Sequence, residues 1–138
     1  MQKEKRKAFN RVVKRISKAI IAILLIFALL LGAFIIYVNY QLKWKKTAIA
    51  VYDNTTTGYT VLFEQIGVPF LFGTHNVKIT LKNERGKEID HIDATIANDG
   101  ATLYESNVVV VWEDNMVKVI LKGCEQKDET YEFYYKSP

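Results

Sequence analysis

The sequence predicts a single N-terminal transmembrane helix followed by an all-β antiparallel domain, a small β-sandwich of about seven strands. Three observations predict it. Residues Ala19 to Val38 form an apolar run without a charge. Beyond residue 46 the apolar residues recur with period two, the side-chain period of a strand. Short polar clusters carrying Gly, Asn or Asp separate these stretches, as turns do.

The apolar run comes first. At about 1.5 Å rise per residue, twenty helical residues cover roughly 30 Å, the hydrocarbon thickness of a bilayer. A cleaved signal peptide has a shorter apolar region, roughly 7–15 residues, followed closely by a small-x-small site. The nearest such triplet here is Ala48-Ile49-Ala50, behind Lys43, Lys45 and Lys46. The remaining chain is too small to enclose an all-apolar helix of this length. The expected layout is a basic cytoplasmic segment at 1–18, a transmembrane helix at 19–40, a juxtamembrane stalk at 41–46 and an extracytoplasmic β domain at 47–138.

Charge orients the span. Residues 1–46 hold eleven Lys/Arg against one Glu, and eight of those bases precede Ala19. Such an excess stays in the cytoplasm, so the N-terminus is expected inside and the domain outside a cell membrane crossed once. Phe9, Val12, Val13, Ile16 and Ile20 recur at helical spacing among these bases. They could form a basic amphipathic helix on an anionic leaflet, although the flank of a signal anchor explains the pattern as well. Tyr37, Tyr40 and Trp44 share one helical face, and their amphipathic rings suit the outer headgroup layer as interface anchors. Residues 47–138 hold eight Lys/Arg against fourteen Asp/Glu. An acidic domain repels phosphate backbones, so nucleic acid is not an expected partner.

The strands follow in order. Thr47–Tyr52 is the first. Tyr59, Val61 and Phe63 alternate with Thr60 and Glu64, and Val77, Ile79 and Leu81 with Lys78, Thr80 and Lys82. Gly86 supplies a positive φ in the turn Glu84-Arg85-Gly86-Lys87. Ile92, Ala94 and Ile96 then face inward, with His91, Asp93 and Thr95 outward. Asn98-Asp99-Gly100 has the composition of a hairpin turn. Asn107–Trp112, with four consecutive valines, reads as a strand covered on both faces at the centre of the domain. Glu113-Asp114-Asn115 turns into Met116–Leu121, and Thr130–Tyr135 closes the domain. The only cysteine, Cys124, excludes an internal disulfide, and free cysteine is more often buried than reactive.

No constellation of catalytic chemistry is legible. His75 and His91 lack a second ligand at metal spacing, and no Gly-x-Ser-x-Gly elbow or phosphate-binding glycine loop leads into a helix. The acidic loop at 123–129 lacks calcium-ligand spacing. No catalytic residue, cofactor or metal is therefore assigned. Asn54-Thr55-Thr56 fits a glycosylation acceptor, relevant only in a eukaryotic secretory pathway. The unusual stretch is Gly67-Val68-Pro69-Phe70-Leu71-Phe72-Gly73. Val68, Pro69, Phe70, Leu71 and Phe72 form a candidate interaction loop if exposed. A small core needs its apolar side chains, which favours a loop folded back as a plug.

Gln65-Ile66-Gly67-x-Pro69, Phe72-Gly73-x-His75, Asn98-Asp99-Gly100-Ala101, Trp112-Glu113-Asp114 and Gly123-x-Glu125-Gln126 together resemble an uncharacterised family of small membrane-anchored bacterial proteins. The resemblance implies a shared extracytoplasmic β domain and no activity. The expected role is non-catalytic: a domain that binds or assembles with an envelope protein or ligand, its other partner being the lipid bilayer. The alternative is an envelope hydrolase with a site assembled from dispersed residues such as His75, Glu125 and Asp128.

Overall fold

The computed structural model describes residues 2–69 and 72–135, and it divides into two compact units, residues 1–39 and 40–138. Helix α1 runs from Gln2 to Lys43. Proline is missing from this stretch and Gly32 is its only glycine, so it holds neither a second glycine nor a proline to interrupt the helix. One window of this helix is apolar and long enough to cross a membrane, and none of that window is buried. The helix ends where the amides of Trp44 and Lys45 both donate to the Tyr40 carbonyl, at 3.0 Å each. The segment expected as a stalk is thus divided: the helix continues through Lys43, and the first strand begins at Lys46.

The second unit holds seven strands in two antiparallel sheets. Strands β1 (Lys46–Asp53), β2 (Thr60–Ile66), β3 (His75–Lys82) and β4 (Glu88–Ile96) form one sheet in chain order. Strands β5 (Val108–Trp112), β6 (Met116–Leu121) and β7 (Glu129–Tyr134) form the other, also in chain order. Each expected strand is present, with ends moved by a residue or a few. A 3₁₀ turn at Glu105–Asn107 precedes β5 and has no signal in the hydrophobic pattern.

Alternation places the core. Phe63 pairs with Ile79, and Ile79 with Ile92, so one inward row crosses the four-stranded sheet. Val108, Val117, Val119, Leu121 and Phe133 are the buried positions of the second sheet. Buried side chains of both sheets, with Leu103 from the segment that joins them, form one hydrophobic cluster. The register shifts between Ala48 and Ala50, so Ile49 is the extra residue of a bulge. A second shift, opposite Leu81 and Lys82, makes Ile89 the extra residue of β4 and leaves that apolar side chain exposed.

Two turns behave as their composition predicts. Gly86 has φ 72°, and the Asn83 side-chain oxygen accepts from the amides of Arg85 and Lys87 at 3.0 Å each. Glu113 N–H donates to the Met116 carbonyl at 2.9 Å to close the β5–β6 turn.

Two expectations fail. Asn98-Asp99-Gly100 does form a tight turn, with positive φ at Asp99 and Gly100 and an Ala101 N–H bond to the Asn98 carbonyl at 2.8 Å. It does not make a hairpin, because β4 and β5 lie in different sheets. The Asn98 side chain is buried and ties the crossing segment instead. Its Nδ2 donates to the Ala101 carbonyl at 3.1 Å, and its Oδ1 accepts from Cys124 N–H at 3.3 Å. The valine strand is also misplaced by the sequence. β5 is the outer strand of its sheet, not a central one. Val108 is buried, Val109 and Val110 are half-buried, and Val111 is 41% exposed. Four valines in a row report β propensity and one covered face, and they do not specify how many strands flank them.

Candidate interaction surface

The loop between β2 and β3 is the first candidate. Pro69 is half-buried, and Phe70 and Leu71 lie outside the described residues. The side chains on either side are not folded inward: Val68 is 49% exposed and Phe72 79%. The plug expected from the sequence is therefore not formed by these two residues. The core already closes over Phe63, Ile79 and Phe133 without them.

Backbone geometry explains where the loop goes. Tyr40 to Lys43, the last turn of α1, belongs to the same compact unit as the loop. The carbonyls of a last helical turn have no partner within the helix. Val68 N–H donates to the Leu42 carbonyl at 3.2 Å, and Gly67 N–H to the Lys45 carbonyl at 2.7 Å. Gln65 Nε2 donates to the Gly67 carbonyl at 3.0 Å and holds the turn from the strand side. Gly67 has φ 68°, and a Cβ there would overlap the Leu42 carbonyl oxygen. Only glycine meets both conditions. Trp44 beside this junction is exposed, as are Lys43, Lys45 and Lys46. Tyr37 and Tyr40 are exposed on the helix.

The edge of the smaller sheet is the second candidate, one that sequence reasoning missed. An outer strand leaves alternate backbone groups without a strand partner. The other outer strands carry charge: Lys46 and Asp53 on β1, Glu88, Asp90 and Asp93 on β4, Glu129 and Glu132 on β7. β5 carries none. Its Val108 carbonyl accepts from the Tyr52 hydroxyl at 3.4 Å, the one side-chain cover found along it among the described residues. The signal was present as an uncharged run, but the run was read as central.

The residues considered for an enzyme differ in setting. His75 is 3% exposed, and neither ring nitrogen has a hydrogen-bond partner at good geometry. Burial pushes its pKa below the ordinary value, and the Ala101 backbone offsets part of that. Glu125 and Asp128 are exposed in the polar loop before β7. His91 faces outward as expected, with Nδ1 at 2.8 Å from Glu88, whose other neighbour Lys78 is at 3.2 Å. Lys78 first, and His91 after it, hold the Glu88 carboxyl below the usual carboxylate range. Cys124 is exposed, not buried, and its N–H donates to the Asn98 side-chain oxygen at 3.3 Å. Among the described residues, no group of three or more His, Cys, Asp or Glu side chains could hold a metal ion.

An open cleft of about 570 Å³ is lined by Ile66, Asn76, Val77, Asp93, Ala94, Thr95 and Tyr131. Asp93 is its one carboxylate. The Tyr131 hydroxyl donates to Glu129 at 2.7 Å, which pushes its pKa up to about 12. A phenol held in that state neither gives up nor takes a proton readily near neutral pH. Asp93 and Tyr131 are the titratable side chains that line the cleft. The chain matches no family model, no curated protein and no solved structure.

Proposed function

We propose that the chain is a single-pass membrane protein, N-terminus in the cytoplasm, whose extracytoplasmic β domain is a non-catalytic binding or assembly module of the cell envelope. The anchor reading draws on an apolar helix with no protein packed over it. The orientation draws on the basic flank. The two sheets, facing each other across one shared cluster, are read as a β-sandwich.

One observation carries the binding role: β5 is an uncharged, valine-rich outer strand with Val111 exposed. Natural sheets guard their edges with charge, proline or cover, and the three other edges here follow that rule. The edge without a guard is the one that can accept an extended segment of an envelope protein by strand addition, with main-chain bonds for affinity and valine contacts for specificity. Its shortness, five residues, limits it to a short segment.

A photoreactive residue at Val111, compared with one at Arg85 in the far turn, tests this in native membranes. Adducts at 111 and none at 85 are expected. Equal yields at both positions would remove β5 as the binding edge. The orientation is tested by Cys124, the only thiol. An impermeant maleimide should label it in intact cells, and labelling only after lysis would place the domain inside.

A further inference from the structure

We propose that Val68 and Phe72, together with Trp44, form a second membrane contact of the β domain, seated in the headgroup layer on the domain's side of the bilayer. The proposal rests on the membrane-spanning reading of α1 and adds to it where the domain stands. Three observations lead there.

The first is position along the chain. Val38 ends the apolar run. Four residues of helix carry Leu42 about 6 Å further at 1.5 Å each. The headgroup layer adds roughly 5–7 Å to each side of a 30 Å hydrocarbon core, so Leu42 falls within it.

The second is attachment. Val68 N–H is bonded to the Leu42 carbonyl, and Gly67 N–H to that of Lys45. These are short backbone bonds, made possible by a glycine whose missing Cβ lets the two chains meet. They hold Val68 at the level of Leu42.

The third is composition. Val68, Phe72 and Trp44 are each exposed. In the same stretch Lys43, Lys45 and Lys46 are exposed bases. Apolar and indole rings among lysines are the side chains that the headgroup layer accommodates: rings partly buried among lipid, ammonium groups at the phosphates. An aqueous setting would leave Phe72 bare in water. A protein partner on this loop would have to share the space with headgroups at the same depth. The lipid surface is the one occupant the chain itself brings within reach.

The contact changes what the domain can do. It fixes the loop end of the β2–β3 hairpin at the bilayer.

Nitroxide depth measurement on the full chain tests the proposal. In a Cys124→Ala background, Phe72→Cys, Val68→Cys, Leu29→Cys and Arg85→Cys are each spin-labelled in phosphatidylcholine–phosphatidylglycerol vesicles. Collision with oxygen, which concentrates in lipid, is compared with collision with a water-soluble nickel chelate. Leu29 should report the hydrocarbon and Arg85 water. Residues 72 and 68 should lie between, with an oxygen-to-nickel ratio several-fold above that of Arg85. A ratio at 72 and 68 equal to that of Arg85 overturns the loop contact while Leu29 still reports lipid. Poor access to both reagents at 72 means that protein covers the loop, and also overturns it. An aqueous signal from Leu29 overturns the spanning reading, and the loop contact with it.

Discussion

Strands β5 and β6 lie side by side and are both built on valine, yet they do different jobs. β6 reads Met116-Val117-Lys118-Val119-Ile120-Leu121. Its Val117, Val119 and Leu121 are fully buried, and it has a strand on each side. β5 reads Val108 to Trp112, is more apolar, and has one neighbour and only one buried side chain, Val108. The strand with a lysine in the middle is the central one. A central strand of a sheet with one wet face alternates, because every second side chain meets water. An uncharged strand at an edge has kept apolar side chains on its outer face, and burial within the domain does not account for them. What such a strand has forgone is protection against pairing.

Val110 and Val119 face each other in the register and give the sharpest contrast. Val119→Asp should unfold the domain, because a carboxylate at a fully buried position costs several kcal/mol against a total of roughly 5–15 kcal/mol. Val110→Asp, half-buried at the edge, should cost about 1–3 kcal/mol and leave the domain folded. Denaturant titration of the detergent-solubilised chain, followed by the β-type circular dichroism band, measures both. Equal losses would erase the distinction between the strands.

The same contrast can be carried to β7, where Phe133 is buried and Tyr134 exposed. Phe133→Ala should lose about 3–5 kcal/mol. Tyr134→Ala should stay within about 0.5 kcal/mol, since its hydroxyl only donates to exposed Glu132.

Ionisable residues obey the same division, and the two histidines show it. His75 is buried with a lowered pKa, so the unfolded chain takes up a proton more readily than the folded one. Above the unfolded value near 6.5 both states are neutral and nothing is lost. As pH falls below it, stability should decline by up to about 1.4 kcal/mol per pH unit until the folded group titrates. His75→Leu should flatten that slope. His91→Ala, beside exposed Glu88, should change stability by less than about 1 kcal/mol. Denaturation midpoints across the acid range measure the His75 slope, and a midpoint at neutral pH measures the His91 change. The smallest stability effect belongs to Val111→Lys, which should fall within about 0.5 kcal/mol of the parent. It should nonetheless abolish strand addition at β5, measured as loss of crosslinking from a photoreactive residue at Val109.

Most of the fold was legible because period two and period 3.6 are local signals. The apolar run and the alternation at Val77, Ile79 and Leu81 each needed only a window of residues. Strand neighbours were not legible, because pairing joins residues far apart. Nothing local in Val108 to Val111 says that the next strand beyond it is missing. Gly67 was visible as a glycine, but its close approach to Leu42 depends on the path of α1. The Asn98 side chain was invisible as a tie, since its partners Ala101, Cys124 and Asn107 are assembled by the fold. The candidate loop was visible as composition, and the exposure of Val68 and Phe72 only as structure.

Asn98 also bears on the order in which the chain folds. Asn98-Asp99-Gly100 bends the chain whether or not the rest is in place, and a bend of that kind invites the next extended segment to lie back on β4. The next extended segment is the valine strand. A refolding chain therefore has a wrong neighbour, β4, competing for the valine strand with its right one, β6, which the Glu113–Asn115 turn brings to it. The native route needs the Asn98 amide to engage Ala101 and the Cys124 backbone, which lies 26 residues further on. Replacing Asn98 by Gly would keep the bend and remove the tie. The cost would then surface less in the equilibrium than in time: a slow refolding phase and an aggregation-prone fraction in which the unguarded strand has joined the wrong sheet.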